Sequence, residues 1–109
     1  MELFTGKNKT RFEEWLISQG YYTNNKNILA WVYFDKLPFE MQIGVILAYY
    51  DSLGLWVNTW KEHGWEFEIE RIDENKIELK WEEGKNFTTR NEAYKQAFIK
   101  ADEIINKTL

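Results

Sequence analysis

The sequence predicts an α+β domain: N-terminal helices with a central buried helix, then a three-stranded antiparallel sheet covered on one face by a C-terminal helix. Three features carry that expectation. Residues Gly64–Trp81 alternate apolar and acidic side chains around a turn, which marks a hairpin with one core face and one acidic face. Thr89-Arg-Asn-Glu92 is a capping box that opens an amphipathic helix. Between Pro38 and Gly54 runs a segment that is apolar nearly all round, as a central helix would be.

Taken in order, Thr10-Arg-Phe-Glu13 matches a capping box and predicts a first helix from about Thr10 to a stop at Gly20, burying Phe12, Trp15 and Leu16. Tyr21–Asn27 reads as a polar linker. Ile28–Phe34 is uniformly apolar, so periodicity does not separate a short buried helix from a strand; a helix is preferred. Leu37-Pro38 starts the next helix, because proline is tolerated in a first turn, and Gly54 ends it. Gly44 in its interior costs about 1 kcal/mol relative to alanine, which suggests a close backbone approach there.

Strands are expected at 55–60, 65–72 and 76–82. A three-residue loop, Asp73-Glu74-Asn75, sets Ile69 opposite Leu79 and Phe67 opposite Trp81 on the core face. The same register sets Glu70 opposite Glu78, Glu66 opposite Glu82 and Glu68 opposite Lys80 on the other face. The closing helix, 90–106, presents Ala93, Tyr94, Ala97, Phe98, Ala101, Ile104 and Ile105, and its alanines allow a close approach to Trp65, Phe67, Ile69, Ile77, Leu79 and Trp81.

The 109 residues suit a single domain large enough to build a core without staples. No cysteine is present, which excludes disulfides, thiolate metal sites and thiol catalysis and suits a cytoplasmic setting. The N-terminus has no basic flank followed by an apolar run, so no signal peptide is expected, and the longest apolar stretches, Ile28–Phe34 and Gly44–Tyr50, are too short for a bilayer.

Catalytic material is sparse. Neither Ser18 nor Ser52 lies in a nucleophile elbow, and His63, the sole histidine, sits beside Gly64 as a turn residue would. No calcium-loop spacing or phosphate-cradling glycine run occurs, so no cofactor, metal or enzymatic activity is expected. A glycosidase pair built from Glu70 and Glu78 would need a cleft, whereas these residues are expected to face water.

The net charge of −4 is concentrated on the hairpin: residues 61–85 carry nine acids against five bases, while 1–60 carry six against five and 86–109 three against four. The absence of a basic footprint argues against nucleic acid. Alternate strand residues lie about 6.7 Å apart, near the phosphate repeat of a nucleic-acid strand, so a glutamate row is able to imitate one toward a basic partner protein. Glu66, Glu68, Glu70, Glu78 and Glu82 are the candidate contacts. The same pattern is also that of the solvated face of a one-sided sheet. An alternative is a nucleic-acid-associated factor that stacks bases on Tyr21, Tyr22 and Trp60. A homodimer is a further expectation, since the 55–60 strand or its neighbour leaves an edge.

Two stretches, Leu-Pro-Phe-Glu-Met-Gln-Ile-Gly-Val-Ile-Leu-Ala-Tyr-Tyr-Asp-Ser-Leu-Gly at 37–54 and Thr-Thr-Arg-Asn-Glu-Ala-Tyr-Lys-Gln-Ala-Phe-Ile-Lys-Ala-Asp-Glu-Ile-Ile-Asn at 88–106, together resemble small proteins encoded by phages and prophages of Bacteroidetes-type bacteria. The resemblance implies a setting, the bacterial cytoplasm during phage or mobile-element growth, and no activity, cofactor or site residue. In that setting the expected function is that of a non-enzymatic accessory protein acting through protein binding.

Overall fold

A computed structural model describes residues 3–19, 34–72 and 78–108, and of residues 72, 78–83 and 108 the backbone alone. Its elements are α1 (Gly6–Ser18), α2 (Phe39–Ser52), β1 (Leu55–Lys61), β2 (Trp65–Ile72), β3 (Glu78–Phe87) and α3 (Arg90–Thr108). This is the expected α+β arrangement, an antiparallel meander in the order β1-β2-β3 with α3 packed across one face. The expected Gly20 stop, the Tyr21–Asn27 linker, the apolar segment up to Tyr33, the Asp73-Glu74-Asn75 loop and Ile77 lie outside the described residues.

Helix α1 buries Asn8, Phe12 and Leu16, a stripe spaced by four residues. It begins a turn before Thr10, which is exposed within the helix; Thr5 is the N-cap. The local capping pattern is overridden because side chains of α3 satisfy the first amides from outside: the Thr5 N–H donates to Asp102 Oδ1 (2.9 Å) and the Asn8 N–H to Asn106 Oδ1 (3.0 Å).

Pro38 starts α2 as expected, its carbonyl accepting from the Met41 and Gln42 amides. At the other end Gly54 takes the left-handed conformation, φ 74°, that a side chain would resist. The helix is not enclosed on all sides, however. Ile46, Tyr49 and Tyr50 are buried, but Met41 is 59% exposed, Ala48 is exposed, and a Cβ on Gly44 would meet nothing within 4 Å. Among the described residues Gly44 therefore serves no close approach.

Strands β1 and β2 pair in unbroken register from Leu55↔Arg71 to Lys61↔Trp65, and His63 lies in the tight connection between them. The β2–β3 register differs from expectation. Arg71 pairs with Leu79, Glu70 with Lys80, Ile69 with Glu82, Glu68 with Glu83 and Phe67 with Gly84, and β3 continues to Phe87 opposite Trp65. The pairing from Ile72↔Glu78 is already two residues from the expected register, and two irregularities, between Ile69 and Glu70 and between Trp65 and Phe67, then displace the strict alternation. Gly84 marks one cause: a Cβ there would penetrate the Phe67 ring, which lies over the bare backbone. Asn86, at φ 68°, supplies the left-handed residue near the second irregularity.

The expected cap of α3 is present, with the Glu92 N–H donating to Thr89 Oγ1 at 3.1 Å. Ala93, Ala97, Phe98, Ala101, Ile104 and Ile105 are buried, and Tyr94 is half-buried. Of the sheet residues expected beneath the helix, Phe67 and Ile69 are buried and Trp65 is half-buried; the side chains of Leu79 and Trp81 lie outside the described set. The core is strongly aromatic. Phe4 stacks on Phe12 at 3.9 Å, Phe12 meets Phe34 and Tyr49 edge-on, and Tyr50 and Tyr94 flank Phe98. Such pairs contribute about 0.5–1.5 kcal/mol each beyond the area they bury.

Candidate functional site

Because α3 and the buried residues Leu55, Val57, Phe67 and Ile69 share one side of the sheet, the intervening residues of β1 and β2 form the opposite side. There the pairing sets Trp56 beside Glu70, Asn58 beside Glu68 and Trp60 beside Glu66. The glutamate row foreseen on β2 thus has an aromatic border, which hairpin periodicity alone did not reveal. Trp56 is 43% exposed, Asn58 is exposed and Trp60 half-buried.

The three glutamates are half-buried, not freely solvated as expected. Broad indoles in adjacent register positions account for part of that shielding, since directly opposed residues on paired strands stand about 4.5–5.5 Å apart at Cβ. Glu68 and Glu70 have interaction partners within the molecule. Glu66 differs: its Oε2 is buried and accepts no hydrogen bond among the described residues. On β3 the backbone partner of Glu70 is Lys80 and that of Glu68 is Glu83. The side chains of Glu78 and Glu82 lie outside the described residues. By backbone pairing Glu78 stands opposite Ile72 instead of Glu70, a two-residue shift already present at the turn end of the hairpin, and Glu82, beyond the first bulge, stands opposite Ile69 instead of Glu66.

A second polar cluster, unforeseen, lies between the ends of α1, α2 and α3. Asn8 is fully buried and Asp102 nearly so. The Asp102 carboxylate accepts from the Thr5 N–H (2.9 Å), the Thr5 hydroxyl (2.6 Å) and the Asn8 amide (2.8 Å). The same Asn8 amide also donates to the Tyr50 hydroxyl (3.0 Å), while Asn8 Oδ1 accepts from the Tyr49 hydroxyl (2.7 Å). Burial drives both phenols well above the usual tyrosine range; the Asp102 charge adds to it, opposed at Tyr50 by the Asn8 amide and at Tyr49 by the Arg11 charge. With its polar atoms spent on one another, this cluster fastens three helices and has no group poised to act on a substrate. One signal in the sequence pointed to it: Asn8 occupies the apolar stripe of Phe12 and Leu16.

Depressions are lined by described residues at two places on the surface. One, of about 380 Å³, lies between α2 and α3, where the Lys95 ammonium sits 5.3 Å from the Phe39 ring and Gln96 donates to Glu92 at 3.1 Å. Gln42 on its wall donates to the Phe34 and Leu37 carbonyls. The other, about 410 Å³ and wider, follows the edge of β1 and is lined by Leu47, Asp51, Trp56, Val57 and Asn58. Among the described residues no three acidic or histidine side chains converge on a possible metal position, and no helix is long and apolar enough to cross a membrane.

The chain matches no protein-family model, none of the curated proteins and none of the solved structures with which it was compared.

Proposed function

We propose that this protein is a non-enzymatic accessory factor of a phage or mobile element that works in the bacterial cytoplasm by binding another protein. Its docking surface is the outer sheet face carrying Glu66, Glu68 and Glu70, bordered by Trp56 and Trp60. The observation that supports this most directly is the lateral alternation of indole and carboxylate, Trp56 with Glu70 and Trp60 with Glu66. An arginine from a basic partner satisfies both halves of such a pair, its planar guanidinium stacking on the ring while its N–H groups donate to the carboxylate. The chain already uses the aromatic half of this interaction internally, with Arg90 lying 4.6 Å over the Trp65 ring. Stacking of this kind is worth about 0.5–2 kcal/mol per pair, and the excess of acids over bases on the hairpin steers a basic partner toward the face.

Single-stranded nucleic acid suits the face less well. A base stacked on Trp60 would bring its phosphates against Glu66, and Tyr21 and Tyr22 lie outside the described residues.

Affinity capture from host lysate at low and high salt tests this assignment. Wild-type protein is expected to retain a basic protein at low salt and release it as salt rises, and Trp56→Ala or combined Glu66→Gln, Glu68→Gln and Glu70→Gln changes are expected to abolish retention. Retention indifferent to salt and to these substitutions, or micromolar binding of a single-stranded oligonucleotide, would count against it.

A further inference from the structure

The two edges of the sheet are built differently. Strand β3 is interrupted twice and carries Glu78, Lys80, Glu82, Glu83 and Lys85, devices that discourage pairing with another chain. Strand β1 has none of them: its register is unbroken over seven residues, it contains no proline, and its one charge, Lys61, stands at the end. Among the described residues β1 has a strand neighbour on one side only. We propose that this edge pairs with the same edge of a second copy, forming a continuous six-stranded sheet across a two-fold axis at Asn58.

The edge is self-complementary in that register. An antiparallel match centred on Asn58 sets Trp56 against Trp60 of the second copy on the outer face, and Val57 against Thr59 on the inner face. The axis itself falls on the uncharged Asn58, so no like charges meet there. Leu55 comes opposite Lys61 of the second copy, whose side chain shares the inner face with the end of α2. That helix has Asp51 near its C-terminus and no basic residue in its last turn, and Asp51 lines the depression beside Trp56. Lys61 of the second copy thereby reaches a carboxylate and the negative end of a helix together, and the two-fold axis repeats the contact. The depression along β1 is the space the incoming strand fills. A seven-residue edge is about 23 Å long. Strand pairing with side chains on both faces, together with the half-buried Leu47 beside the groove, buries a total of about 1,000 Å², the lower end for a specific interface, so the dimer forms in the micromolar range. Dimerisation leaves both glutamate rows on the outer face and joins their tryptophan borders at the seam, so Trp56 and Trp60 are shared with the partner-binding role proposed above, whereas Glu66, Glu68 and Glu70 belong to that role alone.

Sedimentation equilibrium of the full chain, from low micromolar to near-millimolar concentration, tests this. The mass should rise from 13.2 kDa to twice that value. Asn58→Lys places two ammonium groups on the axis and should hold the chain monomeric with an unchanged far-ultraviolet circular dichroism spectrum. Asp51→Lys and Lys61→Asp should each weaken association about tenfold, and the double variant should restore it. A monomer throughout, undiminished association of Asn58→Lys, failure of the charge exchange to rescue, or a monomer that takes up an extended peptide of another protein at this edge would each overturn the dimer. The outer-face substitutions Glu66→Gln, Glu68→Gln and Glu70→Gln leave the seam intact, so loss of partner capture and loss of dimerisation are read separately.

Discussion

Asp102 and Glu66 are both carboxylates withdrawn from solvent among aromatic side chains, yet their surroundings differ in kind. Asp102 accepts three hydrogen bonds, one of them from a backbone amide at the start of α1, and ties the two ends of the chain together. Glu66 has an oxygen that is buried and accepts none. A buried charge is tolerable when its lone pairs are filled, and an unfilled one lowers stability without return inside the monomer. The difference separates a cluster whose polar groups hold the fold together from a face on which one carboxylate oxygen is left without a donor among the described residues.

Removing a member of the first region should have the largest consequence. Asn8→Ala strips the Tyr49 hydroxyl of its acceptor and deprives Asp102 and the Tyr50 hydroxyl of a donor inside the core, and is expected to cost on the order of 3–4 kcal/mol. Asp102→Ala should cost about as much, since it leaves the Thr5 amide and hydroxyl and the Asn8 amide facing an empty site. Urea unfolding of each variant measures the loss as a lower midpoint at unchanged slope. A shift for either no larger than that of a surface substitution would refute the fastening role.

The same cluster should govern behaviour in alkali. Tyr49 and Tyr50 have folded pKa values above the value of 10.0 for an unhindered tyrosine. The stability associated with their protonated forms is complete below pH 10 and is lost above it, because the unfolded chain releases protons that the native state retains. Phenolate absorbance should therefore show two of the six tyrosines ionising only as circular dichroism reports unfolding. Normal titration of all six in the folded protein would contradict the burial described.

A smaller effect separates local from long-range capping. Asn106→Ala removes the side chain that accepts the Asn8 N–H and donates to the Thr5 carbonyl, and should cost about 1 kcal/mol, whereas Thr10→Ala should fall within about 0.5 kcal/mol. Thermal unfolding of the pair distinguishes them; the reverse order would return the start of α1 to Thr10.

That contrast also shows where sequence patterns stop being informative. The ends of α2 were legible because Pro38 and Gly54 act through their own backbone, and α3 because Thr89 caps it within three residues. The start of α1 was not, because its amides are met by Asp102 and Asn106 from the far end of the chain. Alternation located β2 and its glutamates, but a period of two does not distinguish registers that differ by two residues, so Glu78, Leu79 and Lys80 were assigned two positions away from their partners, and it assumes one residue opposite one, so the bulges displaced Glu82 further. Gly84 and Asn86 were visible as residues that interrupt strands, beyond the limit expected for β3. At the candidate surface the acids could be read from β2 alone. Their tryptophan neighbours became apparent only when the β1 register set two segments side by side.

Glu66→Gln should have the smallest effect on stability and one of the largest on binding. Asp102 accepts three hydrogen bonds, and any substitution removes something the fold uses. In Glu66 the charge carries a desolvation cost with one oxygen unfilled, so an uncharged amide of nearly the same shape should leave stability unchanged within about 0.5 kcal/mol or raise it. The same change removes the charge that would meet a basic partner, so capture from lysate should fall while the urea midpoint holds or rises. Residues kept for binding commonly oppose stability in this way. A substantial loss of stability in Glu66→Gln would move this carboxylate into the same class as Asp102 and leave the outer face without its clearest functional residue.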